Sequence, residues 1–342
     1  MKKLSIIMVA VMVCFCLGFT FIGTGCSDNE RKIRLAEVTH SIFYAPLYVA
    51  LNLGYFEDAD LEVELTNANG SDKGMTALLT GAADIGLLGP EAALYVADGG
   101  AKNKAICFGQ LTQCDGAFIV AKNNTDNFQW SDTVGKTIIG GRAGGMPAMT
   151  LQYVIEVINN LTIGTGSNEV NLRTDVDFAL TASEFEHSDA EYCTLFEPTA
   201  SDLEDAGKGY VVASVGEESG KVPYTCFMAT QNYLQNHEDV VIDFLKCIMK
   251  AIEYLQNATV EEMTTALKPS FTTSSDTSIV NSINSYVSIN AWKSGPLMDP
   301  EDFDFMQDII INAGIRDSKI PFNSFVDNSY ATKAIQQMEN QV

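Results

Sequence analysis

Five short segments combine glycine, proline, hydroxyl and acidic residues in the way a small-molecule site requires. They are residues 39–44, Gly70-Ser71, Gly89-Pro90-Glu91, Gly144-Gly145-Met146-Pro147 and Glu197-Pro198. Each leads into the start of an expected helix, where the first backbone N–H groups lack intrahelical partners and can hold polar or anionic atoms. Glycine there lets the backbone approach a ligand closely. Phe43 and Tyr44 offer faces for stacking on a flat ligand, or a hydrophobic staple ahead of a helix. Thr39 and His40 can donate hydrogen bonds or cap the next helix. Glu91 and Glu197 stand in or before a first helical turn, where the macrodipole alone favours an acid, so their structural role is weighed first. Arg142 suits an anionic ligand, although a solvated surface arginine is the commoner case. No nucleophile elbow, paired catalytic carboxylates, P-loop or metal-ligating cluster appears, and His40, His187 and His237 are scattered. The expectation is binding without catalysis, cofactor or metal.

The elements that must position these segments alternate between strand and helix from residue 33 to 214, a pattern that predicts α/β architecture with parallel sheets flanked by helices. Strands are expected over 33–38, 61–65, 83–88, 106–110, 137–140, 170–174, 192–196 and 210–214. Helices are expected over 46–53, 73–80, 90–98, 146–160, 176–184 and 198–206, with Gly54, Gly81 and Gly99 as stops. Asp84 is expected to fix a turn. Runs 117–121 and 224–229 read as crossing strands, so Asp115 and Tyr224 line the cleft between two lobes or pack its hinge. Beyond them the chain is helical: Val240, Val241, Phe244, Leu245, Ile248, Met249, Ile252 and Leu255 make one apolar face. Asp299 is the expected N-cap before Pro300. The predicted organisation is a signal peptide over 1–25, a tether over 26–31, a discontinuous first lobe over 32–116 and 225–342, and a second lobe over 117–224.

At the N-terminus, Lys2 and Lys3 precede an uncharged apolar run over 4–22 and then Gly23-Thr24-Gly25-Cys26. A positive start, an apolar run and small residues before a cut describe a secretory signal. Cys26 with the polar residues after it resembles the lipobox of bacterial lipoproteins, with Gly23 where that motif usually has Leu. The alternatives are a cleaved signal with an incidental cysteine and an uncleaved membrane anchor. All three place the remaining chain outside the cytoplasm. With 21 basic and 44 acidic residues the net charge is −23, which excludes nucleic acid as a partner. Cys107, Cys114, Cys193, Cys226 and Cys247 have no CxxC or zinc-type spacing and are expected to be small buried hydrophobes.

The run Tyr44-Ala45-Pro46-Leu47-Tyr48-Val49-Ala50, followed by Gly54-Tyr55-Phe56 and Leu61-Glu62-Val63-Glu64, resembles the opening of a family of ABC-transporter solute-binding proteins. That family includes the sulfonate, nitrate and thiamine-precursor receptors. Leu78-Leu79-Thr80-Gly81-Ala82-Ala83-Asp84-Ile85-Gly86, Gly135-Lys136-Thr137-Ile138-Ile139-Gly140-Gly141-Arg142 and Phe196-Glu197-Pro198 extend the resemblance across nearly the whole mature chain. It implies a type II periplasmic-binding-protein-like fold, two α/β lobes joined by two crossing strands with a helical C-terminal region. It also implies a monomer anchored by lipid on Cys26, a small-molecule ligand, and a permease with its ATPase as partner.

The ligand-binding residues so expected are Thr39, His40, Phe43, Tyr44, Ser71, Gly89, Pro90, Glu91, Asp115, Gly144, Gly145, Met146, Glu197 and Tyr224. Aromatic faces with carboxylate acceptors favour a flat, neutral or weakly basic heterocycle such as a thiamine-precursor pyrimidine. An alkanesulfonate, taurine or an oxyanion is the alternative. From other classes, the rivals are a pyrimidine-biosynthesis enzyme of the same fold, whose cysteine-rich run has no counterpart here, and an exported signalling receptor.

Overall fold

The computed structural model describes residues 31–98, 103–124 and 127–340. The expected signal, Cys26 and Gly99 lie outside the described residues. Ile33–Val342 forms one compact unit.

Among the described residues, ten strands are shared between two five-stranded sheets. They are β1 (Lys32–Glu37), β2 (Glu62–Asn67), β3 (Ile85–Leu88), β4 (Ala105–Thr112), β5 (Ala117–Ala121), β6 (Thr137–Ile139), β7 (Asn171–Arg173), β8 (Tyr192–Phe196), β9 (Tyr210–Ser214) and β10 (Thr225–Thr230). The first sheet runs β2-β1-β3-β10-β4 and the second β7-β6-β8-β5-β9. Strand β1 is parallel to β3, and β6 to β7 and β8, as the alternating pattern predicts. The sheets are nonetheless mixed, which corrects the parallel expectation. Strand β10 is antiparallel to β3 and β4, and β5 to β8 and β9. The two runs read as crossings are interior strands that enter each sheet from the other one, and so run against their neighbours. The passages themselves are residues 113–116 and 215–224.

Local chemistry explains most boundaries. Pro46 sits in the first turn of helix Ala45–Asn52, where no N–H is needed. Gly81 takes φ +74° at the end of helix Ser71–Thr80, and its N–H reaches Ala77 and Leu78 carbonyls. In β2, Val63 and Leu65 are half-buried between exposed Glu62 and Glu64, as expected of an edge strand. Helix Glu238–Asn257 buries Val240, Val241, Phe244, Leu245, Ile248, Ile252 and Leu255. Its Phe244 stacks on Phe56 at 5.3 Å and meets Phe227 edge-on at 5.0 Å. Each large side chain buried this way contributes about 1.5–3 kcal/mol. All five described cysteines are free and buried.

Three local expectations differ. The helix expected over 146–160 is α-helical only at Met146–Tyr153 and becomes a π-turn over Val154–Ile158. Val154, Ile155, Val157 and Ile158 crowd the preceding turn, and both the N–H and the side chain of Asn159 bond the Val154 carbonyl five residues back. The helix expected over 176–184 is a 3-10 turn, Phe178–Leu180, followed by helix Thr181–His187. Asp299 occupies the N-cap position without capping, because its carboxylate pairs with Lys293 at 2.7 Å.

Candidate ligand-binding site

A cavity of about 340 Å³ opens where the carboxyl ends of the parallel strands in both sheets meet. Open α/β sheets bind ligands at this place. The first sheet supplies Val38 and Thr39 after β1, Asn69 to Asp72 after β2, and Gly89, Glu91 and Ala92 after β3. The second supplies Arg142 to Pro147 after β6, Asp177 and Phe178 after β7, and Phe196 at the end of β8. Because β10 runs antiparallel, its start brings Tyr224 and Thr225 to the same end.

Glu91 is a buried acid in the wall. It is 3% exposed, and its carboxylate folds over Gly89, where an added Cβ would stand 2.1 Å from Oε2. The Gly89 N–H donates to the Ser71 hydroxyl at 3.1 Å, fixing the turn beneath. Burial pushes the Glu91 carboxyl up to about 7, against the opposing pull of its own N–H, the Ser71 hydroxyl and the Met146 N–H. Its Oε2 is buried with no hydrogen-bond partner.

Behind Tyr224 lies a second buried acid. Asp115 accepts the Ala117 N–H on Oδ1 at 2.7 Å, and burial pushes its carboxyl up to about 7. The hydroxyls of Tyr224 and Thr150 face this carboxylate, yet the geometry leaves Oδ2 and both hydroxyls unpaired. Burial also raises Tyr44, whose hydroxyl faces Thr225.

Of the expected residues, Thr39, Tyr44, Ser71, Gly89, Glu91, Gly144, Gly145, Met146 and Tyr224 line the cavity, whereas His40, Phe43, Pro90, Asp115 and Glu197 do not. Phe43 is fully buried among Phe196, Tyr224 and Tyr286, with ring centroids 5.4, 5.7 and 5.1 Å away. His40 turns from the cavity to Glu37 at 3.0 Å and to the Ser270 carbonyl at 2.8 Å, and the Glu37 bond raises its pKa. Glu197 is a joint: its carboxylate accepts the Ser201 N–H at 2.8 Å and the Ser285 hydroxyl at 3.2 Å, and its carbonyl accepts the Ile42 N–H at 3.2 Å. Tyr286 accepts the Glu197 N–H and donates to the Gly116 carbonyl, tying helix Asp276–Ser288 to the passage between sheets. Asp84 holds Arg34 by side chain and backbone, so it fixes β1 against the turn before β3.

Arg142 makes two 3.0 Å bonds to Asp72. This pair joins loops from the two sheets, and so does the Tyr95 hydroxyl, which donates to the Gly144 carbonyl at 2.7 Å. Sequence reasoning missed Tyr95, Met75, Leu79 and Val96. In helix Ser71–Thr80, Met75 and Leu79 follow Ser71 at i+4 steps, and in helix Glu91–Asp98, Tyr95 and Val96 stand at i+4 from Glu91 and Ala92, a spacing that also describes an ordinary core face.

A family model described as NMT1/THI5 like matches residues 42–261. A Bacillus subtilis (strain 168) protein, YtlA, whose name marks it as a provisional binding protein, is 40% identical over 327 residues, covering 93% of this chain and 97% of that protein. The chain belongs to the NMT1/THI5-like family. This NMT1/THI5-like chain is also similar in structure to a ligand-binding component of an ABC-type import system from Staphylococcus aureus, crystallised with zinc bound. The TM-score is 0.70 at 16% identity, over 89% of this chain and 99% of that one. The alkanesulfonate-binding protein SsuA of Xanthomonas axonopodis pv. citri, bound to MOPS, gives a TM-score of 0.65 at 14% identity, over 89% and 97%. The fold is that of the periplasmic binding proteins.

Proposed function

We propose that this protein is the extracytoplasmic solute-binding component of an ABC importer, which captures a small molecule in the cavity and delivers it to a permease with its ATPase. The observation that carries this reading is one cavity walled by strand-end loops of both sheets, with buried polar atoms left unpartnered inside it. Family membership and the import component from Staphylococcus aureus support it. The lobes are 32–116 with 225–342 and 117–224, hinged at residues 113–116 and 215–224. The N-terminal features support export, cleavage after residue 25 and lipid anchoring on Cys26, and in this reading the receptor acts as a monomer. Binding needs no cofactor and no turnover.

The favoured ligand is a flat heterocycle of the thiamine-precursor kind, lying against Tyr44, Phe178, Phe196 and Tyr224 and meeting Glu91. A sulfonate, as bound by SsuA, is the second reading, favoured by the helix start at Met146. The test is a thermal-shift panel of pyrimidines, thiamine, flavins, sulfonates and oxyanions on the chain from Ser27, which holds the whole compact unit. A ligand at a hundred times its dissociation constant adds about 2.7 kcal/mol to folded-state stability. A panel without a stabilising solute, or turnover of the hit, contradicts the reading.

A further inference from the structure

Glu91 begins the helix that follows β3, and its carboxylate faces across the cavity to the Met146 N–H. Met146 opens helix Met146–Tyr153, so its N–H has no partner inside that helix and is the natural seat for an anion. The Glu91 carboxylate borders the same cavity as that seat, close enough for the Met146 N–H to lower its pKa. The other potential anion-binding group is also committed: among the described residues lining the cavity, Arg142 is the lone lysine or arginine, and it donates twice to Asp72. Glu91 keeps one oxygen, Oε2, buried and unpartnered in the cavity wall. A carboxylate oxygen in that condition accepts hydrogen bonds, and leaving it unsatisfied costs about 1–3 kcal/mol or more. Just ahead of β10, the neighbouring strand of the same sheet, the Tyr224 hydroxyl is likewise unpaired, with the free Oδ2 of Asp115 behind it. When Tyr224 donates to Asp115, its oxygen is left to accept from a ligand. The remaining wall is apolar, formed by Met75, Leu79, Val96, Met146, Phe178 and Phe196.

We propose that Glu91 is a built-in anion that turns this cavity away from anionic solutes and selects a neutral or cationic ligand whose N–H group donates to Oε2. The inference rests on the solute-receptor reading and names the charge class that this site takes. The ligand presents N–H donors at one end to Glu91 and Tyr224, and an apolar body to the rest of the wall. Glu91 determines specificity by two means: it supplies the acceptor, and it sets a negative charge beside the helix start that an anion would otherwise use.

Calorimetric titration of the chain from Ser27 with benzamidine and 4-aminopyrimidine as N–H-bearing bases, and ethanesulfonate as the anion, tests this. Wild-type protein is expected to bind at least one of the bases ten times or more tighter than ethanesulfonate. Glu91→Gln keeps the volume and is expected to weaken base binding at least tenfold. Glu91→Ala removes the charge beside the Met146 N–H and is expected to gain ethanesulfonate affinity by tenfold or more. Ethanesulfonate binding to wild type as tightly as the bases, or base affinity unchanged in both variants, overturns the inference and leaves the receptor reading standing. No binding by either class, or by any solute in the thermal-shift panel, overturns both. Circular dichroism establishes that the variants fold, and the conservative Glu91→Gln carries the test if the alanine variant does not.

Discussion

Glu91 and Asp115 each hold a carboxylate oxygen away from water with no partner, and burial pushes both up to about 7. Near Glu91 stand Asp72, which raises it further, Arg142 bound to Asp72, and the Tyr44, Tyr95 and Tyr224 hydroxyls. Near Asp115 are Cys114, Thr150 and Tyr224. An acid whose pKa is higher folded than unfolded keeps its proton in the folded state over a window where the unfolded chain has released it. Stability therefore falls as pH rises from about 4.5 to about 7 and stays low above. For Glu91 this amounts to roughly 3 kcal/mol at about 1.4 kcal/mol per unit. Depressed carboxylates such as Glu191 act in the opposite sense, below about 4.5. The urea midpoint of ligand-free protein is expected to decline between about pH 5 and pH 8, and Glu91→Gln to remove a large part of that decline. A midpoint that rises over this window, or an unchanged slope in the variant, contradicts the assignment. The sequence places Glu91 at a helix start, but an acid is ordinary there. That its side chain folds over Gly89 into a cavity is decided by tertiary contacts with Ser71 and Met146.

At the scale of elements, the two passages between sheets lie against each other. Gly216, in the return passage, packs so close that an added Cβ would stand 2.1 Å from the Asp115 carbonyl oxygen. Alanine is favoured over glycine in a helix by about 1 kcal/mol, so Gly216→Ala would stabilise helix Val215–Ser219 if the helix stood alone. Backbone cannot yield as a flexible side chain does, and overpacking costs about 1–3 kcal/mol. The net expectation is a loss of stability in urea unfolding. A variant as stable as wild type would show that the passages do not pack so closely. Strands and helix ends were legible because apolar alternation, Pro46 at a helix start and Gly81 at a helix stop act locally. The antiparallel sense of β5 and β10 was not, since strand direction depends on which sheet the chain arrives from. The joint at Glu197 was equally hidden, because its partners Ser282, Ser285 and Tyr286 are more than eighty residues away.

For the whole molecule, the loops at residues 69–72 and 89–92 belong to one sheet, and those at 142–147 and 177–178 to the other. Arg142 with Asp72, and Tyr95 with Gly144, already join them. The family resemblance foretold this placement, and the glycine-rich helix starts agreed with it. Which side chains face inward had to come from the structure, because adjacent residues of one 3-10 turn put Tyr44 in the wall and Phe43 in the core. In the proposed function, ligand is held between two sheets that close on it. Hydrogen–deuterium exchange on the chain from Ser27, with and without the solute that stabilises it most, tests this directly. Slowed exchange is expected in segments 69–76 and 89–96 together with 142–150, with little change in helix Glu238–Asn257. Protection confined to the loops of one sheet, or concentrated away from the cavity, would contradict it.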